Sequence, residues 1–169
     1  MISNRKMNVV KRIAFAANDN NRKSLIEWSY YNQDILKNHE LIATGVLADI
    51  LEGTVGVPVT KLQDGAAAAN HQLGAMIADQ QIDILLFFWD PVQPLQSANG
   101  VRGLHDMAVA SNIIVACNLA TADFVLSSVL MDKAHSVPVP PEFTYAGKSK
   151  TYFNNGDYRK PVLKLNTIN

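Results

Sequence analysis

From Ile84 to Trp89 the chain is apolar at every position, Ile-Leu-Leu-Phe-Phe-Trp, and Asp90-Pro91 ends the run. A strand with one wet face alternates apolar and polar residues. The segment Ile82–Trp89, apolar apart from Asp83, therefore reads as a central strand covered on both faces, which is the habit of parallel sheets. It is also far too short to cross a bilayer as a helix.

The rest of the chain alternates in kind around that strand. Residues 11–17 form a short apolar run stopped by the polar cluster Asn18-Asp-Asn-Asn21, and a helix-period segment follows through Leu25, Ile26, Trp28 and Tyr31. Glu40–Gly45 is strand-like, Leu47–Gly53 helical, Val57–Thr60 a short strand, and Ala67–Gln80 an alanine-rich helix. After the central strand, a loop rich in Pro, Gln, Ser and Gly leads to a helix near Val101–Ser111, the strand Ile113–Cys117 and a short helix after Thr121. This order predicts an α/β fold of three layers: a doubly wound open sheet of about five parallel strands. We expect residues 1–10 to be an extension, 11–145 the domain, and 146–169 an arm or tail, because the pattern fails near Pro138, Pro140 and Pro141.

Composition narrows the partners. Fifteen basic residues balance fifteen acidic ones, which removes the electrostatic footprint of a nucleic-acid or anionic-membrane binder. A small molecule is the expected ligand. The single cysteine, Cys117, excludes a disulfide framework and is expected to be a buried, inert thiol in a reducing compartment. The charged N-terminal residues lack a following signal-type apolar core, so a soluble cytoplasmic protein is expected.

In an open parallel sheet, ligands bind outside the carboxyl ends of the strands, where loops meet helix N-termini. The polar residues at those places are Asn18, Asp19, Arg22 and Lys23 after the first strand, and Thr44 and Gly45 after the second. Asp64 and Gly65 follow the third strand with Asn70 and His71 beyond, Asp90 and Ser97 the fourth, and Asn118 and Thr121 the fifth. The same residue types also cap helices and make turns, and for Asn18, Thr121 and Asp123 capping is the expected use. Asp90 stands equally for a site, because an acid closing so apolar a strand needs a partner or solvent. His71 is expected on a surface or in packing. His39, His105 and His135 have no acid or cysteine at ligand spacing, so no metal site is expected.

Four strings taken together carry a family resemblance: Ala43-Thr-Gly45, Gln72-Leu-Gly-Ala-Met-Ile77, Ile82-Asp-Ile-Leu-Leu-Phe-Phe-Trp-Asp-Pro91 and Ala116-Cys-Asn-Leu-Ala-Thr-Ala-Asp-Phe124. In this order and spacing the chain resembles the methylglyoxal synthases over residues 11–140. The resemblance implies a five-stranded parallel sheet, a homohexamer, and conversion of dihydroxyacetone phosphate to methylglyoxal and phosphate without metal or organic cofactor. Related domains bind phosphorylated or nucleotide ligands at the same sheet edge. In that chemistry a carboxylate removes a proton beside the carbonyl, an ene-diolate forms, and phosphate leaves.

Position by position, the resemblance gives Asp19 and Asp90 as two active-site acids, Thr44 and Gly65 as phosphate-pocket residues, and Arg22, with Lys23 adjacent, at a phosphate-binding lysine. Other positions depart. The general-base aspartate of the family matches Asn70, within Ala68-Ala-Asn-His71, and an amide cannot accept the proton. Positioned acid–base catalysis is worth about 10²–10⁴-fold. The histidine facing the carbonyl matches Ser97, its supporting acid matches Gly100, and two pocket threonines match Val46 and Leu47. The serine before the pocket glycine matches Asp64, and a carboxylate at about 4 Å repels a phosphate charge by roughly 4 kcal/mol at an effective dielectric near 20. A basic residue of the following helix is replaced by Asp106, with Arg102 one turn earlier.

These departures favour a family member that binds a small polar, phosphorylated or nucleotide-like ligand without the usual lyase turnover. The alternative is a divergent but active synthase, a carbon–oxygen lyase using Asp19 or Asp90 as base. A third class, a structural partner protein acting through its surface, would use the 146–169 arm.

Overall fold

The computed structural model describes residues 3–88, 90, 92 and 95–139, with only the backbone of Ser3, Ala66 and 95–101. The first half of the chain runs β1 (Ser3–Met7), β2 (Arg12–Ala17), α1 (Asp19–Tyr31), α2 (Gln33–Leu36), β3 (Glu40–Thr44) and α3 (Gly45–Val55). It continues through β4 (Val59–Leu62), α4 (Ala66–Ala78), β5 (Ile84–Phe88), α5 (Leu95–Ala110), β6 (Ile114–Ala116), α6 (Leu119–Leu126) and β7 (His135–Val139).

Five strands form one parallel sheet in the order β4-β3-β2-β5-β6. Every residue of β5 is buried, as its unbroken apolar run requires. In β2, Ile13 lies beside Leu41 on one flank and Ile84 on the other, so the strand is central as well. Successive side chains point to opposite faces. Ile13, Phe15, Ile84, Leu86 and Phe88 enter a core with Leu25, Trp28, Leu47, Leu51 and Leu126 of α1, α3 and α6. Ala14, Ala16, Leu85 and Phe87 enter a second core with Leu73, Ile77, Leu104 and Ala108 of α4 and α5. Each fully buried Leu, Ile or Phe contributes about 1.5–3 kcal/mol. The doubly wound, three-layer α/β architecture expected from the sequence is the one observed.

Some boundaries moved. The helix expected near Val101–Ser111 begins earlier, at Leu95, and the strand expected over Val57–Thr60 runs Val59–Leu62. Cys117 is a correction: β6 ends at Ala116, so the thiol falls just past the strand and is exposed.

The first and last described strands form a second small sheet that the periodicity did not signal. β1 pairs antiparallel with β7, from Ser3 opposite Val139 to Met7 opposite His135. Residues 3–7, within the expected extension, thus belong to a ribbon that polar bonds fix to the main sheet. Arg5 Nη1 donates to the Ile82 carbonyl at 3.2 Å and to the Asp83 carboxylate. The buried Lys11 Nζ donates to the Lys133 carbonyl at 2.8 Å, and Asn112 Nδ2 to the Pro138 carbonyl at 2.8 Å. The expected tail, 146–169, lies outside the described residues.

Candidate functional site

The connection from β2 runs to one side of the sheet, toward β3, and that from β5 to the other, toward β6. Their carboxyl ends therefore part at a topological switch point, where open α/β sheets hold ligands. The backbone tightens there: Asn18 N–H donates to the Phe88 carbonyl at 3.4 Å, joining the two strand ends.

Asn18 caps α1. Its Oδ1 accepts from Asn21 N–H at 3.1 Å and from Asn21 Nδ2 at 2.9 Å, as its residue type suggested. Its Nδ2 is buried and has no hydrogen-bond partner among the described residues, a donor left over at the switch point. From the end of β5, Asp90 accepts from Asn20 Nδ2 at 3.2 Å and from Val92 N–H at 2.9 Å. Asn20 is a member of the group that residue type alone did not single out among four neighbouring polar residues. Only the placement of β2 beside β5 picks it out.

A second group stands over β3 and β4. Thr44 is the N-cap of α3 by backbone geometry but makes no side-chain cap bond, and Gly45 opens the helix. The Asp64 carboxylate packs onto Gly45 so closely that a Cβ there would run into its Oδ1. Gly65 follows with φ 93°, a conformation that favours glycine, and opens α4, also without a side-chain cap. Gln72 Oε1 accepts from Gln63 N–H at 2.9 Å and ties α4 to this loop.

The other candidates spread around these groups. Asp19 sits one residue from Asn18, with 84% of its side chain exposed, paired with Arg22. Lys23 is exposed and outside any described pair in this group. Asn70 is half-buried in α4 and His71 exposed beside it. Ser97 lies in the first turns of α5, where only the backbone is described. At the far strand, Asn118 caps α6 by accepting from Thr121 N–H at 2.8 Å and Thr121 Oγ1 at 2.9 Å. Thr121 thus serves a cap rather than forming one. Asp123 does not cap either; it accepts from the Trp28 indole N–H at 2.6 Å and joins α6 to α1.

The edge therefore offers an unpaired amide donor, two helix N-termini without side-chain caps, and the carboxylates of Asp19, Asp64 and Asp90. Such a set can orient a polar ligand through donors and acceptors. Among the described residues, no three His, Cys, Asp or Glu side chains gather as a metal site would need. Two hollows open elsewhere among the described residues, the second reaching this edge only at Thr121. One of about 800 Å³ is lined by Arg5, Arg12, Glu40 and Asp79, and one of about 320 Å³ by Ile114, Phe124, Val125 and Met131.

A doubly wound parallel sheet with polar residues gathered at its switch point belongs to the class of open α/β proteins, in which ligands bind at that edge. No protein-family model matches the chain. Methylglyoxal synthase of Coxiella burnetii is 43% identical over 139 residues, covering 82% of this chain and 97% of that protein. Methylglyoxal synthase of Photorhabdus laumondii is 37% identical over 139 residues, covering 82% and 91%. The crystal structure of methylglyoxal synthase from Elizabethkingia anophelis superposes with a TM-score of 0.74 at 36% identity, covering 82% of this chain and 91% of that one. The chain belongs to the methylglyoxal synthase family.

Proposed function

We propose that this chain keeps the family's sheet edge as a binding site for a small polar, phosphorylated or nucleotide-like ligand, and that it does not eliminate phosphate from dihydroxyacetone phosphate at an enzyme's rate. The observation that carries this reading is the amide of Asn70 on α4, at the position matching the family's general base. The reaction starts by moving a proton off carbon, and a carboxamide has no basic lone pair with which to take it. The two carboxylates that could substitute are already engaged. Asp19 is paired with Arg22, and Asp90 accepts from Asn20 and from Val92 N–H.

In this reading Asn18, Arg22, Lys23, Thr44, Gly45, Asp64, Gly65 and Ser97 border the ligand, and no cofactor takes part. The protein works as a soluble cytoplasmic homo-oligomer, a hexamer by resemblance. The exposed Phe124 and Val129, on and after α6, give apolar surface for contact between copies. No described helix is long and apolar enough to cross a membrane.

The test is incubation of purified protein with dihydroxyacetone phosphate, following methylglyoxal and phosphate together. Turnover is expected to be lower by about 10²–10⁴-fold than that of a family member with the aspartate in place. A metabolite and nucleotide panel is expected to raise the melting temperature without any reaction. Rapid release of both products would sink the reading.

A second reading is favoured by relatives named methylglyoxal synthase at 37–43% identity: an active synthase in which Asp19 or Asp90 takes the proton. Asp90 stands at the switch point, bonded to Asn20, two residues from Asn18, whose side-chain Nδ2 has no partner among the described residues. If turnover is found, Asp90→Asn or Asp19→Asn is expected to abolish it, and its survival in both would exclude these acids as bases.

A further inference from the structure

A hollow of about 800 Å³ opens at the amino end of the main sheet, opposite the switch point, between the β1–β7 ribbon and the first residues of β2 and β3. Its charged lining is Arg5 and Lys6 of β1, Arg12 at the start of β2, Glu40 at the start of β3, and Asp79, which follows α4. The size falls within the range of about 300–1,000 Å³ in which proteins hold small molecules. The charges inside are not matched to one another. Arg5 and Arg12 both turn to the single carboxylate of Asp83, so this cluster of three keeps one positive charge in excess. Arg5 has 4% of its side chain exposed, and its Nη2 is buried with no hydrogen-bond partner among the described residues. Arg12 gives Nε and Nη2 to Asp83 at 3.0 and 2.9 Å and keeps 29% of its side chain in the open.

A guanidinium with donors to spare is a strong partner for a carboxylate. Negative charge stands on the neighbouring strand. Glu40 is the register partner of Arg12, on strands that run about 4.8 Å apart, yet neither it nor Asp79 forms an ion pair among the described residues. Arg12 is turned from Glu40 toward Asp83, on the β5 side of β2. The hollow thus presents a positive and a negative group side by side that do not satisfy each other. A bare anion there meets the repulsion of Glu40 and Asp79, and a bare cation that of Arg5, Lys6 and Arg12. A molecule that carries both charges on adjacent atoms is attracted by each.

We propose that this hollow binds a free α-amino acid in its zwitterionic form: the carboxylate on Arg12 beside the Arg5 charge, the ammonium on Glu40, and the side chain against Val9 and Val10. Such a ligand touches the ribbon and the main sheet together. It therefore binds only while the ribbon is docked, and its binding free energy adds to the docking. The site lies at the other end of the sheet from the ligand edge and does not depend on how that edge is read.

Each standard L-amino acid is titrated calorimetrically into the full-length wild type, and hydrogen exchange of residues 3–7 is followed with the tightest binder. At saturation that ligand is expected to slow the exchange by about tenfold or more. Its N-acetyl form, which lacks the ammonium, and its amide, which lacks the carboxylate, are each expected to bind at least about tenfold more weakly. Glu40→Gln and Arg12→Gln are expected to weaken binding of the parent amino acid by similar factors. Glu40 is exposed and outside the ion pair with Asp83, so Glu40→Gln separates lost binding from lost folding, with melting curves recorded for every variant. Arg22→Gln, at the opposite edge, is expected to bind as the wild type does. The inference is overturned if no amino acid binds, if either blocked form binds as tightly as its parent, or if exchange at residues 3–7 is unchanged. It is overturned equally if Arg22→Gln loses binding while Glu40→Gln keeps it. None of these results bears on turnover of the triose phosphate, so the wider functional reading stands or falls separately.

Discussion

The Arg5 guanidinium lies against the Asp83 carboxylate with only 4% and 2% of the two side chains exposed, and this contact fastens the terminal ribbon to the central sheet. Asp83 stands just before β5 and also accepts from Arg12, at 2.9 Å from the backbone N–H, 3.0 Å from Nε and 2.9 Å from Nη2. Removing one member of a buried pair leaves the other charge unsolvated and costs about 3–5 kcal/mol. Asp83→Ala is therefore expected to lower the unfolding free energy by that amount, read as a fall in the denaturant midpoint at unchanged m, and to expose residues 3–7 to rapid hydrogen exchange. An unchanged midpoint would show that the triad is not a fastening.

Acid stability carries two separate signatures. Burial alone would raise the Asp83 pKa, but hydrogen bonds from the Arg12 side chain and backbone, with the charges of Arg12 and Arg5, hold it below the ordinary 3.8. Stability from this carboxylate is present above the unfolded pKa and lost as pH falls through the lower folded one. His39 acts higher. Burial, and then the Lys11 charge, push it below its ordinary 6.5, partly offset by Asp132. Its Nδ1 accepts from Lys11 N–H at 3.1 Å, and an imidazolium cannot accept. Below about pH 6.5 the unfolded chain takes up a proton that the folded one refuses, so stability falls with pH until the folded pKa is reached, by at most about 1.4 kcal/mol per unit. Denaturant midpoints from pH 7 to 5 are expected to drop in the wild type and to flatten in His39→Asn. Equal slopes in both would remove His39 from the account.

The contact of Gly45 with Asp64 should appear as a coupling. Gly45→Ala puts a methyl group where Oδ1 stands, and because that oxygen is the free end of an exposed side chain the carboxylate is expected to turn away at a cost of about 0.5 kcal/mol. In an Asp64→Ser background most of that cost is expected to vanish, since the obstructing carboxylate is gone. A double-mutant cycle by thermal or chemical denaturation measures it. Strict additivity would mean that the carboxylate does not hold its place over α3.

Restoring the missing base tests the chemistry directly. Asn70→Asp is expected to raise methylglyoxal formation at least tenfold, inside the range of about 10²–10⁴ that a positioned base supplies. Because Ser97 also departs from the family's histidine, the double variant with Ser97→His is expected to exceed the single one. No rise in either would place the limit elsewhere than at residues 70 and 97.

By itself the sequence determined the strands of the main sheet, their parallel sense and the edge on which polar residues collect. An apolar run such as Ile84–Phe88 can only be satisfied between two layers, and that requirement is written locally. Tertiary structure alone decided which polar residues meet: Asn20 with Asp90, Asp64 with Gly45, Trp28 with Asp123. It also buried Arg5 and Lys11, which composition would leave in water, and exposed Cys117, which its apolar neighbours would bury. A charged side chain becomes interior only when distant residues supply its hydrogen bonds, as Asp83 and the Lys133 carbonyl do here. No local pattern contains those partners, because they are brought together only when the sheet closes around β2 and β5.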